Sequence, residues 1–170
     1  DAMQSLRVKE KGAVVHFKDF HDDAIELLKN PGAVHGVPTG YAILDSTLKG
    51  LEPGELIIVG AETGVGKSML AQNILHNVGR KGIPTLFVSR EMSNGEALKR
   101  YTEMEMGATG MNYEDALAAI EKRPYYAYKA DNMTIEEFVK DLDEKIEQTG
   151  VKILCIDHLH YFARSADNSS

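Results

Sequence analysis

The sequence predicts an α/β protein in which a parallel sheet is flanked by helices. Three observations carry this. Short apolar runs alternate with stretches of helical period along most of the chain. The run Leu56-Ile57-Ile58-Val59 passes directly into a glycine-rich loop that ends in Lys-Ser and opens a helix. The run Val151–Asp157 is nearly continuous in apolar residues, as a parallel strand buried on both faces requires.

The elements follow in chain order. Residues 1–18 mix charged and apolar residues without period and are expected to be extended or poorly ordered. Asp1-Ala2-Met3 resembles a vector-derived leader before a start Met. Phe20–Asn30 reads as a short amphipathic helix carrying Ile25, Leu27 and Leu28, stopped by Pro31-Gly32. It either packs on its own domain or docks on a neighbouring subunit, and the residues leave both open. Thr39–Asp45 leads into a short helix ending at Gly50, and Glu52-Pro53-Gly54 is a turn. A strand at 55–60, the glycine loop and a helix at 67–79 come next, the helix placing Leu70, Ile74 and Val78 on one face. Gly82 breaks the chain before a strand at Thr85–Ser89. Ser93 is positioned to cap a helix from about 94 to 106, ended by Gly107–Gly110. Asn112–Ile120 is another short helix, and Tyr125–Ala130 a Tyr-rich strand. Thr134-Ile135-Glu136-Glu137 is a capping box. The helix it opens puts Ile135, Phe138, Val139, Leu142 and Ile146 on one face and closes at Gly150, before the strand ending at Asp157. The polar tail Ser165–Ser170 reads as a flexible loop, and no internal repeat is present.

Composition bounds the function. At 170 residues, 43% hydrophobic and 26% charged, the chain has the make-up of a soluble globular domain with a sizeable core. No apolar stretch approaches the ~20 residues that span a bilayer, and no secretory pattern opens the chain. A formal net charge of −7 argues against a surface that is a nucleic-acid footprint throughout, while leaving room for a narrow basic channel. The single cysteine, Cys155, excludes an internal disulfide and reads as a buried, inert thiol. The six histidines show no Cys/His ligand spacing; His158-x-His160 reads as strand-end residues rather than a metal pair.

The chemistry starts at Gly60-Ala61-Glu62-Thr63-Gly64-Val65-Gly66-Lys67-Ser68, between a predicted strand and a predicted helix. That context makes it a phosphate-binding P-loop, and hence the chain a nucleoside-triphosphate binder. A triphosphate is cradled most readily by backbone N–H groups and the positive end of a helix dipole. Gly64 and Gly66 let the backbone approach the phosphates, Lys67 reaches the β/γ oxygens, and the Ser68 hydroxyl ligates Mg²⁺. The candidate cradle is Ala61, Glu62, Thr63, Gly64, Val65, Gly66, Lys67, Ser68 and Met69. Ala61 departs from the strict pattern, which has Gly there. Asp157 ends an apolar strand 90 residues after Lys67, where a carboxylate reaches the Mg²⁺ region of such folds. Glu91 lies just past the carboxyl end of strand 85–89. On spacing alone it either orients and deprotonates an attacking water or is a surface Glu at a helix start.

Several landmarks occur in one order: Gly36-Val37-Pro38-Thr39-Gly40-Tyr41, Leu44-Asp45, Gly50-Leu51-x-Pro53-Gly54, the P-loop, Ser89-x-Glu91-Met92-Ser93 with Arg100, and Ile156-Asp157-His158-Leu159. Over about residues 33–163 this resembles the RecA-like motor domain of DnaB-type replicative helicases, a group that includes phage primase–helicases and Twinkle. The first landmarks are shared with the wider RecA/RadA/KaiC superfamily; Ser89-x-Glu91-Met92-Ser93 with Arg100 is the more specific part. An Ala opening the P-loop is common in that group. The resemblance implies a RecA-like P-loop NTPase that uses ATP and Mg²⁺. It implies a homo-oligomer, a hexameric ring when complete, translocating on single-stranded DNA in a bacterial cytoplasm or, for a phage protein, the host's. It makes Glu91 the catalytic base, with Lys67 and Ser68 on phosphate and Mg²⁺ and Asp157 in the metal shell. Arg100 is implied to support the site. Arg90 stands where many members have an apolar residue and is expected at the surface. The family's DNA-binding loops, sensor residue and arginine finger follow the strand of Asp157 and are not in this sequence. Residues 33–170 are therefore expected to be a partial core behind an N-terminal segment and linker helix at 1–32, and no primase zinc motif precedes them. The rival readings are a RecA/RadA-type recombination or repair ATPase, and a KaiC-like module in which ATP organises an oligomer.

Overall fold

The computed structural model describes residues 16–29, 34–130 and 133–157, and the chain divides into two units, Asp1–Ala33 and Val34–Ser170. Most of the expected N-terminal tail, the Pro31-Gly32 stop, His158-x-His160 and the polar tail lie outside the described residues. In the first unit a short 3₁₀ turn, Phe17–Phe20, runs into α1 (His21–Lys29), so the helix starts one residue later than Phe20. No described helix is long and apolar enough to cross a membrane.

The second unit begins with a strap around α2 (Ala42–Leu48). The Asp45 carboxylate accepts bonds from the backbone N–H and hydroxyl of Thr39, both at 2.7 Å, and from the N–H of Gly40 at 3.2 Å. Asn77 on α3 (Lys67–Gly79) donates to the Thr39 carbonyl at 3.1 Å, which fastens the strap to the helix after the glycine-rich loop. The remaining elements are β1 (Thr85–Ser89), α4 (Asn94–Thr109), α5 (Tyr113–Glu121), β2 (Tyr125–Lys129), α6 (Ile135–Thr149) and β3 (Ile153–Asp157). The strands form a parallel sheet in the order β2-β1-β3, with β1 central and buried along its whole length.

The two faces of β1 follow the two-residue period of a strand. Leu86 and Val88 pack with Phe138 and Leu142 of α6; Phe87 packs with Leu75 of α3, Ala97 and Tyr101 of α4 and Ile120 of α5. On β3, Ile153 and Cys155 join the α3 side while Leu154 and Ile156 join the α6 side. The same parity assigns Ser89 and Asp157, which are register partners at the carboxyl ends of β1 and β3, to the α3 side.

The expected strand at 55–60 is not formed. Leu56, Ile57, Ile58 and Val59 carry no ladder and are 82, 45, 73 and 42% exposed. A doubly buried strand needs both a paired edge and cover on each face. β3 is bonded to β1 alone and half-buried along its length, so its outer edge stands open among the described strands; the apolar run does not ladder onto it and has no cover. Smaller corrections concern ends. α4 passes through Gly107 to Thr109 and stops at Gly110, whose φ of 76° is the left-handed cap conformation. In α6, Phe138 and Leu142 are buried, but Ile135 and Val139 are 39 and 50% exposed.

Candidate active site

The loop before α3 turns at Thr63–Gly66, with Gly64 at φ 84° and Gly66 at φ 99°. Both values lie where an L side chain is strained, which accounts for glycine at these two positions. Gly66 is the N-cap of α3; it offers no side-chain bond, and no acid stands in the first turn. The positive end of a 13-residue helix is thus left open to an anion. The Lys67 ammonium folds back over its own loop and donates to the carbonyls of Ala61 at 2.6 Å and Glu62 at 2.8 Å. Glu62, Thr63 and Val65 are exposed, as is Met69 on the first turn.

Beyond this loop lies an open cleft of about 350 Å³. Ser68, Glu91 and Asp157 line it together, so three residues drawn from widely separated parts of the chain meet. Ser68 comes from the first turn of α3, Asp157 from the end of β3, and Glu91 from the turn after β1. Lys67 is half-buried and stays with its loop carbonyls rather than lining the cleft.

Of the other lining residues, Arg100 is expected to support the site, while sequence reasoning gives Ser89, Glu96 and Lys99 no role in it. Ser89 lines the cleft, and its Oγ accepts from the N–H groups of Glu91 at 3.2 Å and Met92 at 3.1 Å. Arg100, Lys99 and Glu96 enter from α4. Glu96 belongs to a reciprocal capping box: it accepts from the Ser93 N–H at 2.8 Å while its own N–H donates to Ser93 Oγ at 3.2 Å. The Ser93-x-x-Glu96 spacing is readable in the sequence and was the available signal. The bonds from the Ser93 backbone and hydroxyl hold the Glu96 carboxyl below its ordinary value. Arg100 is half-buried in the cleft, and Arg90 is half-buried rather than fully at the surface. Cys155 is half-buried; burial, with the neighbouring Asp157 charge second, pushes its thiol up to about 12, so it is unreactive at neutral pH.

The residues suit magnesium and a triphosphate. Mg²⁺ partnered by phosphate takes only one or two protein ligands, and a hydroxyl and a carboxylate at one cleft, Ser68 and Asp157, are of that kind. Among the described residues no group of three or more His, Cys, Asp or Glu is arranged to hold a metal unaided.

The family model for the DnaB-like helicase C-terminal domain matches residues 36–170. The chain belongs to the DnaB-like helicase C-terminal domain family. Among curated DnaB relatives, the replicative DNA helicase DnaB of Leifsonia xyli is 33% identical over 81% of this chain and 33% of that protein. The DnaB of Geobacillus stearothermophilus is 27% identical over 98% of this chain and 41% of that protein. The chain therefore spans roughly a third to two fifths of these relatives' length. Among solved structures, the ATPase domain of G40P superposes with a TM-score of 0.67 at 16% identity, covering 88% of this chain and 58% of that one. A DnaB-like replicative helicase described with its interactions with primase gives 0.64 at 16% identity, over 88% of this chain and 39% of that one. The expected RecA-like fold of DnaB-type ATPase domains is thereby established.

Proposed function

We propose that this DnaB-family domain hydrolyses ATP to drive a replicative DNA helicase along single-stranded DNA. The observation that carries the reading is the convergence of Ser68, Glu91 and Asp157 on one cleft beside the open N-terminus of α3. The phosphates lie against the loop 61–66 and the first turn of α3. Lys67 exchanges the Ala61 and Glu62 carbonyls for phosphate oxygens and offsets their charge. Ser68 and Asp157 would hold Mg²⁺, which when bound would supply positive charge to offset that developing on the phosphate. Glu91 orients a water against the terminal phosphate and takes its proton. The acid is carried on a turn at the end of the buried central strand, so its backbone is well anchored.

The intact protein is a ring of like subunits, hexameric by family kinship, working in the cytoplasm with single-stranded DNA as its track. In such a ring the neighbouring subunit completes each site.

The test is a pair of substitutions in the intact protein. Lys67→Ala abolishes nucleotide binding or turnover. Glu91→Gln retains nucleotide binding while turnover drops by roughly 10²-fold or more, the order expected for loss of a positioned base. Turnover of Glu91→Gln equal to the wild type removes Glu91 from this role.

A further inference from the structure

We propose that Ser89 is a positioning residue that sets the catalytic approach of Glu91, an inference that rests on the reading of Glu91 as the base. Ser89 is the last residue of β1, is 4% exposed, and pairs in register with Asp157 on one side and Lys129 on the other. Its backbone is fixed by the ladder and by the Ala130 N–H, which donates to the Ser89 carbonyl at 3.1 Å. From this fixed point the hydroxyl oxygen accepts from the N–H of Glu91 at 3.2 Å and of Met92 at 3.1 Å. A hydroxyl has two acceptor lone pairs, and these two bonds use both. The oxygen thus closes the chain into a tight turn immediately past the strand, ending at Met92, directly before Ser93 caps α4. Glu91 sits inside that turn, held at its own amide and at the next one. It and Ser89 line the same cleft as Ser68 and Asp157.

The arrangement solves a geometric problem. An exposed glutamate on an unsupported turn samples many orientations, whereas a general base must hold its proton acceptor within hydrogen-bond reach of the water. Anchoring the Glu91 amide to a buried side chain of the central strand ties the base to the one described strand that is buried along its whole length. Removing the hydroxyl leaves phosphate and metal ligands intact but frees the turn. The loss therefore falls on turnover rather than on nucleotide affinity.

The decisive comparison is Ser89→Thr against Ser89→Val in the intact protein. The two side chains have nearly the same shape and differ in the oxygen, so the steric cost of the added methyl is common to both. Ser89→Thr retains most of the wild-type turnover; Ser89→Val loses on the order of 10- to 100-fold, as misplacement of a catalytic group does. Binding of a non-hydrolysable ATP analogue stays alike in the two. In a Glu91→Gln background the Thr/Val difference disappears, because the hydroxyl acts through Glu91. Equal turnover of Thr and Val variants, a difference that persists undiminished without the Glu91 carboxylate, or analogue binding lost in step with turnover each overturns the proposal. Wild-type turnover in Glu91→Gln alone is a separate result: it defeats the assignment of the base, and the role of Ser89 with it.

Discussion

Glu105 has no exposed side-chain surface, yet it is charged. Arg123 grips it with Nη1 on Oε2 at 2.6 Å and Nη2 on Oε1 at 3.0 Å, and His76 of α3 meets Oε2 at 2.9 Å. Burial pushes this carboxyl up, but the Arg123 bonds and charge and the His76 bond outweigh it, so its pKa lies below the ordinary value. His76 is shifted down, chiefly by burial, against the pull of Glu105. Both groups therefore bind protons more weakly folded than unfolded. Stability is fully present above the unfolded value, about 6.5 for histidine, and is lost as pH falls from there through the folded value. Urea unfolding from about pH 8 to pH 5 is expected to show stability declining on acidification. His76→Gln should flatten that decline; an unchanged slope contradicts the assignment. Arg123→Ala leaves Glu105 buried with its best partner gone. It should lower unfolding free energy by about 3 kcal/mol, the low end for breaking a buried pair because His76 and Arg80 remain. None of this was readable in the sequence. The partners stand 29 and 18 residues apart, and no local rule pairs them. Lys67 and Ser68 were legible for the opposite reason: their chemistry is packed into one short motif whose spacing carries the mechanism.

Elements were read best where a cap or a period named them. Thr134 and Glu137 exchange side-chain and backbone bonds at the start of α6, as their spacing predicts, and Gly150 closes it at φ 64°. Strand β1 occupies the residues expected for it, because its apolar run begins after Gly82 and Pro84 and ends where the charged pair Arg90-Glu91 begins. The run 55–60 has the same local character but joins no ladder and has no cover, and these are tertiary properties that no local pattern encodes. Close approach is another. Gly79 ends α3 against the ring of Tyr125, whose hydroxyl donates to the His76 carbonyl at 2.8 Å. A methyl at 79 would overlap that ring. Helix propensity alone predicts that Gly79→Ala stabilises by about 0.5–1 kcal/mol. The packing predicts destabilisation by about 1–3 kcal/mol, from overpacking at a joint between α3 and β2. Thermal unfolding of the variant gives the sign, and a rise in Tm sides with propensity.

At the scale of the whole molecule, a buried central strand holds two half-sites against each other. β1 carries Glu91 on its following turn and is laddered to β3, which ends in Asp157; α3 brings Ser68 to the same cleft. The sheet order made this meeting possible, and it was foreseeable only in outline, from the rule that ligands gather at the carboxyl ends of parallel strands. The proposed DNA track and neighbouring subunits rest on membership of the DnaB-like family rather than on this geometry. A net charge of −7 argues against DNA contact over the general surface and leaves room for a narrow channel or for loops outside this sequence. The most direct test is steady-state ATP hydrolysis by the intact protein, with and without single-stranded DNA. The account predicts turnover that rises strongly with DNA and vanishes in Lys67→Ala. Nucleotide binding with turnover indifferent to DNA would contradict it.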